Sequence, residues 1–190
     1  MKNTETPKGQ NKNADANTKM VSPAADAATD LQTFFVDCLK DIYWAENALV
    51  GALPKMAANA TSANLVSAIK DHLAVTENQV ARLKTIFELI GEKAEGKKCE
   101  AMAGLLKEGD SILEETAPGS VRDAGIIAAS QKVEHYEIAT YGTLVAFAKT
   151  LGHNEVAQLL TKTLAEEKEA DMVLSDVANS KINLAATVED

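Results

Sequence analysis

Between Asp30 and about Ala178, apolar side chains recur every three or four positions with few interruptions. That spacing commits the chain to long amphipathic helices, because a helix turns ~100° per residue and each such position falls on one stripe. The breakers then divide the stripe. Asp30 is an N-cap for a first helix over about Leu31 to Ala60, in which Pro54 should kink the helix or end its regular part. Ser62 caps a second from about Ala63 to Ile90, closed by Gly91. A charged connector over 92–98 leads to a shorter helix near Glu100 to Glu115, and Pro118-Gly119 ends it. A third long helix runs from about Ser120 to Leu151 and stops at Gly152, and Asn154 opens a fourth that extends to about Ala178. Two helix hairpins with a short extra helix in the crossover make an all-α four-helix bundle.

Composition agrees with that reading. Aromatics are 4% of the 190 residues and hydrophobics 46%, a core of aliphatic helix formers rather than of strand formers. Residues 1–29 are polar and almost free of large apolar side chains, so they read as a flexible tail; 30–180 form the bundle and 181–190 a frayed end. The net charge of −9 offers no basic face for phosphates, which excludes nucleic acid as a partner. Charged residues break the longest apolar runs, so no membrane span is expected, and without a secretory signal the expected location is the cytoplasm. Cys38 and Cys99 supply neither a disulfide framework nor zinc spacing, and Cys38 reads as a small core residue.

Several charged residues occupy stripe positions. The first helix reads Leu31, Phe35, Cys38, Ile42, then Glu46, then Leu49 and Leu53. The third reads Ile126, Ser130, Val133, then Glu137, then Tyr141, Leu144 and Ala148. The fourth reads Leu160, Leu164, then Glu167 and Asp171, then Leu174 and Ala178. A carboxylate buried alone costs several kcal/mol or takes up a proton. Acids intruding near the middle of three helices are explained together if they share bound cations, since carboxylate oxygens suit hard metals. Pairing with Lys or Arg, or a place at the stripe edge facing water, is the alternative. Glu134, one turn before Glu137, and Asp171, one turn after Glu167, could reach the same site. The second helix reads Leu65, Ile69, His72, Thr76, Leu83, Phe87 and Ile90, with Glu77 on its flank, equally a surface residue or a ligand. His72 is a further candidate on that helix. Tyr43, Tyr136 and Tyr141 are candidate neighbours, and Tyr141 could hydrogen-bond a ligand or sit as an amphipathic core residue.

The segments LQTFFVDCLKDIYWAENAL, LVSAIKDHLAVTENQVARLKTIFELIG, QKVEHYEIATYGTLVAFAKTLG and LLTKTLAEEKEADMVLSDVA resemble the YciE/YciF family of ferritin-like stress proteins. The resemblance covers residues 30–180 and implies a ferritin-like bundle, often dimeric, with ferroxidase activity. Ferritin-like sites carry one Glu on each of two helices and a Glu followed three residues later by His on the other two. The resemblance therefore matches Glu46 and Glu137 to the first kind, and Glu77 and Glu167 to the second. Val80 and Ala170 stand where the two histidines would be. Glu134, Asp171 and His72 are the remaining donors, an oxygen-rich set that would relax selection for iron and admit manganese.

Two functions follow as expectations. In one, Glu46, Glu77, Glu137 and Glu167 bind two iron ions per chain, and the protein, a homodimer as the resemblance implies, oxidises Fe(II) with dioxygen or peroxide. In the other, a dimeric stress or scaffold bundle keeps the acids without redox chemistry.

Overall fold

The computed structural model describes residues 20–188, and among these every regular element is helical. The four long helices are α1 (Leu31–Asn59), α2 (Ala63–Leu89), α4 (Ser120–Thr150) and α5 (Asn154–Val177), with α3 (Glu100–Glu115) in the crossover. Residues 20–29 are exposed and form no helix or strand; the rest of the expected N-terminal tail lies outside the described residues.

Local chemistry sets the ends. The Asp30 carboxylate accepts from the Thr33 amide at 2.9 Å and from the Thr33 hydroxyl at 2.8 Å, starting α1. Gly91, at φ +73°, takes the left-handed turn that closes α2. Pro54 does not end α1, which continues to Asn59; its ring is exposed, so the Val50 carbonyl that loses its helical donor can be served by water. The C-terminal end differs from the expected fray. The chain continues through a π-helical turn (Ala178–Ile182) into a short α6 (Asn183–Ala185), because Ile182 is buried against the bundle and holds it there.

Each of α1 and α5 packs between α2 and α4. Long-range bonds give the directions. Asp123, at the start of α4, bonds Thr61 just past the end of α1, and His153, just past the end of α4, bonds Gln32 at the start of α1, so α1 and α4 are antiparallel. Gln79 and Arg82 reach Glu167 and Thr163 respectively, so α2 and α5 are antiparallel too. The crossover passes along α1: the Lys97 amide donates to the Lys40 carbonyl at 3.1 Å, and farther on Lys55 Nζ bonds Asp110 at 2.7 Å. α3 thus runs parallel to α1, over α1 and α4, and returns the chain to the end where α2 began. This is the ferritin-like arrangement. The approach of α3 is close: a Cβ on Gly109 would lie 2.7 Å from the Met56 methyl, and one on Gly125 would lie 2.6 Å from Ile112.

Asp123, in the first turn of α4, locks this end. It is buried, and its two oxygens accept from the Thr61 amide (2.8 Å), the Thr61 hydroxyl (2.6 Å) and the Ser62 amide (2.8 Å) in the α1–α2 corner. Charge-assisted bonds of this kind stabilise strongly, and removing the acceptor strands two backbone donors. Asp123→Ala is expected to destabilise the fold by about 2–4 kcal/mol, read as a lower midpoint in thermal or urea unfolding with helix content retained below the transition.

Candidate metal centre

At mid-bundle the stripe positions of four helices converge on acid. Glu46, Glu134, Glu137 and Glu167 are all buried, at most 2% exposed, which rules out a solvated face for any of them. One ligand atom each from His72, Glu134, Glu137 and Glu167 can be chosen so that all four lie within 4.8 Å of one another. Glu46 adjoins this group from α1. Burial, and after it the charge of Glu167, pushes its carboxyl well above the usual range.

The hydrogen bonds leave much of this polarity unanswered. Tyr141 donates to Glu46 Oε1, and Gln79 Nε2 donates to Glu167 Oε1 at 2.5 Å. His72 Nε2 lies 3.4 Å from Glu134 Oε1 without the alignment of a hydrogen bond. The second oxygens of Glu46, Glu134 and Glu167, both oxygens of Glu137 and Nε2 of His72 are buried without a partner. Lys and Arg do not neutralise them. Arg82, on the adjoining turn of α2, is spent on Glu166 through two bonds of 2.7 and 2.9 Å, with a third to Thr163. Orphaned acceptors around one point are what a cation would satisfy, so the residues present fit a metal.

Without a cation, protons fill the role. Burial is the largest cause of every shift. Glu134 rises to about 8, restrained by its hydrogen bond with Glu167 and raised further by the charge of Glu46, and Glu167 rises to about 9, with the charge of Glu134 adding to burial. Glu137 is pushed well above the usual range by burial and then by Glu46. Burial lowers His72 to about 4, which keeps its imidazole neutral and able to ligate.

Of the residues expected from sequence, Glu46, Glu137 and Glu167 are together, and His72 and Glu134 join them. Glu77 does not. It is exposed, and α2 contributes His72 and Gln79 instead. The helical angle explains the difference: Gln79 falls roughly 20° from His72 and Glu77 roughly 140°. Gln79 was legible from that angle, though its residue type drew no attention beside an acid. Asp171 is partly exposed, 3.3 Å from His135 and 3.2 Å from Gln131, at the edge of the site rather than within it. Tyr141 makes the ligand hydrogen bond that its position allowed. Tyr136 bonds Asp41 (2.8 Å) and Cys99 (3.1 Å), and Tyr43 packs edge-on against Phe87. Cys38 is half-buried rather than fully in the core.

The family described as Domain of unknown function (DUF892) matches residues 30–187, and Protein YciF of Escherichia coli (strain K12) is 42% identical over 157 residues, 82% of this chain and 95% of that protein. The chain belongs to the YciF family. The crystal structure of the E. coli stress protein YciF superposes with a TM-score of 0.79 at 41% identity, covering 82% of this chain and 99% of the other. YcfI of Rhodopseudomonas palustris gives 0.78 at 41% identity, over 80% and 97% of the two chains. Protein XCC3681 of Xanthomonas campestris pv. campestris, at 23% identity and a TM-score of 0.68 over 83% and 97%, shares the fold. No helix of this YciF-family chain, among the described residues, is long and apolar enough to cross a membrane.

The raised acids set a sign for pH dependence in metal-free protein. A carboxyl whose folded value lies above its unfolded value binds its proton more tightly when folded, so its contribution is present at low pH and is lost as pH rises through the folded value. His72 acts oppositely, but only between about 4 and its ordinary 6.5. Above pH 6.5 the acids alone decide. Metal-free protein is expected to lose thermal stability between pH 6.5 and about 9, the window set by Glu134 and Glu167. A flat or rising melting temperature across that window would count against buried, unpaired acids.

Proposed function

We propose that this chain binds a pair of iron ions at the mid-bundle acids and oxidises Fe(II), handling dioxygen or peroxide as the oxidant. The observation that carries the proposal is the set of buried, partnerless donor atoms on Glu46, His72, Glu134, Glu137 and Glu167. His72, Glu134, Glu137 and Glu167 would hold one ion, and Glu46 with the free oxygens of Glu137 would extend the site to the second. Iron is here both ligand and reductant: two Fe(II) give two electrons to one peroxide, whose O–O bond breaks, and two protons complete two waters.

The chain's own groups prepare that chemistry. The Gln79 Nε2 amide and the Tyr141 hydroxyl hold one oxygen of Glu167 and of Glu46 respectively, which leaves the other oxygen of each free to bind a cation. Cation binding drives the protonated acids to release their protons, so protons become available beside the oxidant. Neutral His72 adds one nitrogen donor to an otherwise oxygen-rich set, for which manganese competes with iron. A homodimer is part of the proposal, and light scattering after size-exclusion chromatography reads it.

A second reading is a non-catalytic stress or scaffold bundle. What favours it is that Val80 and Ala170 stand where the wider ferritin-like pattern has histidine, and that protons alone can make the acids tolerable. YcfI of R. palustris carries a provisional description as a structural protein. Anaerobic Fe(II) titration followed by elemental analysis separates the two. The proposal expects about two iron ions per chain, at least a tenfold loss of affinity in Glu137→Ala, and no change in Glu77→Gln. Protein that stays iron-free under those conditions overturns it and leaves the scaffold reading.

A further inference from the structure

The acid cluster borders a cavity of about 330 Å³. Its walls are mostly apolar and come from α1 to α5, with Leu49, Leu53, Ile69, Leu105, Val133 and Leu174 among them. His72 and Glu134 form part of the same wall, so one side of the cavity is shared with the candidate metal centre. Asp71, Glu169 and Val173, which also line it, are exposed; the cavity therefore opens to solvent between α2 and α5. Ala170 lies at this opening, three residues after Glu167, where the ferritin-like pattern would carry histidine. A methyl group in place of an imidazole leaves the space open.

We infer that this cavity receives an uncharged aliphatic molecule with an oxygen head group, of the size of a medium-chain alcohol or aldehyde, its head against His72 and Glu134 and its chain along the apolar walls. Three features select that chemistry. The volume lies at the lower end of small-molecule sites, and the walls reward an alkyl chain. At the polar side, His72 Nε2 and Glu134 Oε2 are buried without partners, and a hydroxyl can answer either one. At the mouth, the carboxylates of Asp71 and Glu169 oppose the entry of an anion, while Glu166 beside them is occupied by Arg82. The inference goes beyond the proposed function and is read in metal-free protein, where His72 Nε2 and Glu134 Oε2 are not engaged by an ion.

Isothermal titration of the metal-free full chain with octanol, hexanol and octanoate tests it. Octanol is expected to bind saturably at one site, hexanol about tenfold more weakly for its two missing methylenes, and octanoate at least tenfold more weakly. Ala52→Leu and Ala68→Leu, which narrow the cavity and replace none of the candidate ligands, are expected to reduce octanol affinity at least tenfold, with circular dichroism and iron stoichiometry unchanged. Either variant keeps the test open should the other fail to fold. Absence of saturable octanol binding, no dependence on chain length, equal or tighter binding of octanoate, or undiminished binding to a folded cavity variant each overturns the inference. Octanol binding in a protein that takes up no iron would sink the metal reading and leave the cavity standing; the reverse pattern would sink the cavity alone.

Discussion

A band of carboxyl groups crosses the buried middle of the bundle with no lysine or arginine among the described residues paired to it, and the rest of the structure answers to that band. Glu46, Glu134, Glu137 and Glu167 are as inaccessible as the leucines around them. Charges so placed would repel one another in a medium that screens little, so protons or cations must accompany them. The neighbouring polar side chains do not neutralise the acids. They orient them: Gln79 and Tyr141 each hold one oxygen and leave its twin open, and Arg82 is kept from the centre by Glu166 and Thr163.

Holding four such helices in register requires strength elsewhere. Apolar packing toward both ends supplies most of it, with Phe35, Leu39 and Phe87 near one end and Leu53, Leu65 and Ile126 near the other. Asp123 ties the start of α4 to the α1–α2 corner, and so fixes where the crossover must deliver the chain. The crossover does more than connect. Its helix α3 lies over α1 and α4, and its Leu105 and Leu106 form part of the cavity wall that adjoins the acids. The element that closes the bundle topologically thus also shapes the space beside the candidate metal centre.

How far the site could be read in advance depended on how strictly each residue obeys the helical period. Glu46, Glu137 and Glu167 replace apolar residues in unambiguous stripes, and burial follows directly. Glu134 is one turn from Glu137 and His72 lies on the stripe of α2, so both were within reach. Their membership depended on which way α2 and α4 face each other across the bundle. Glu77 shows the opposite case: an acid at the expected sequence distance whose angular position carries it to solvent, while the amide of Gln79 takes the inward place. The frayed C-terminus failed for a similar reason, because a single buried Ile182 outweighs a polar local composition.

The amino-acid sequence by itself determined the helices, their caps and their inward acids, because period, cap chemistry and breakers act over a few residues. Which donor atoms meet, which oxygens remain without partners, and where a cavity opens were decided only by tertiary structure. Those properties depend on the rotation and register of one helix against another, set by the packing of side chains far apart in the chain. The candidate metal centre, built from four helices, depends on that packing.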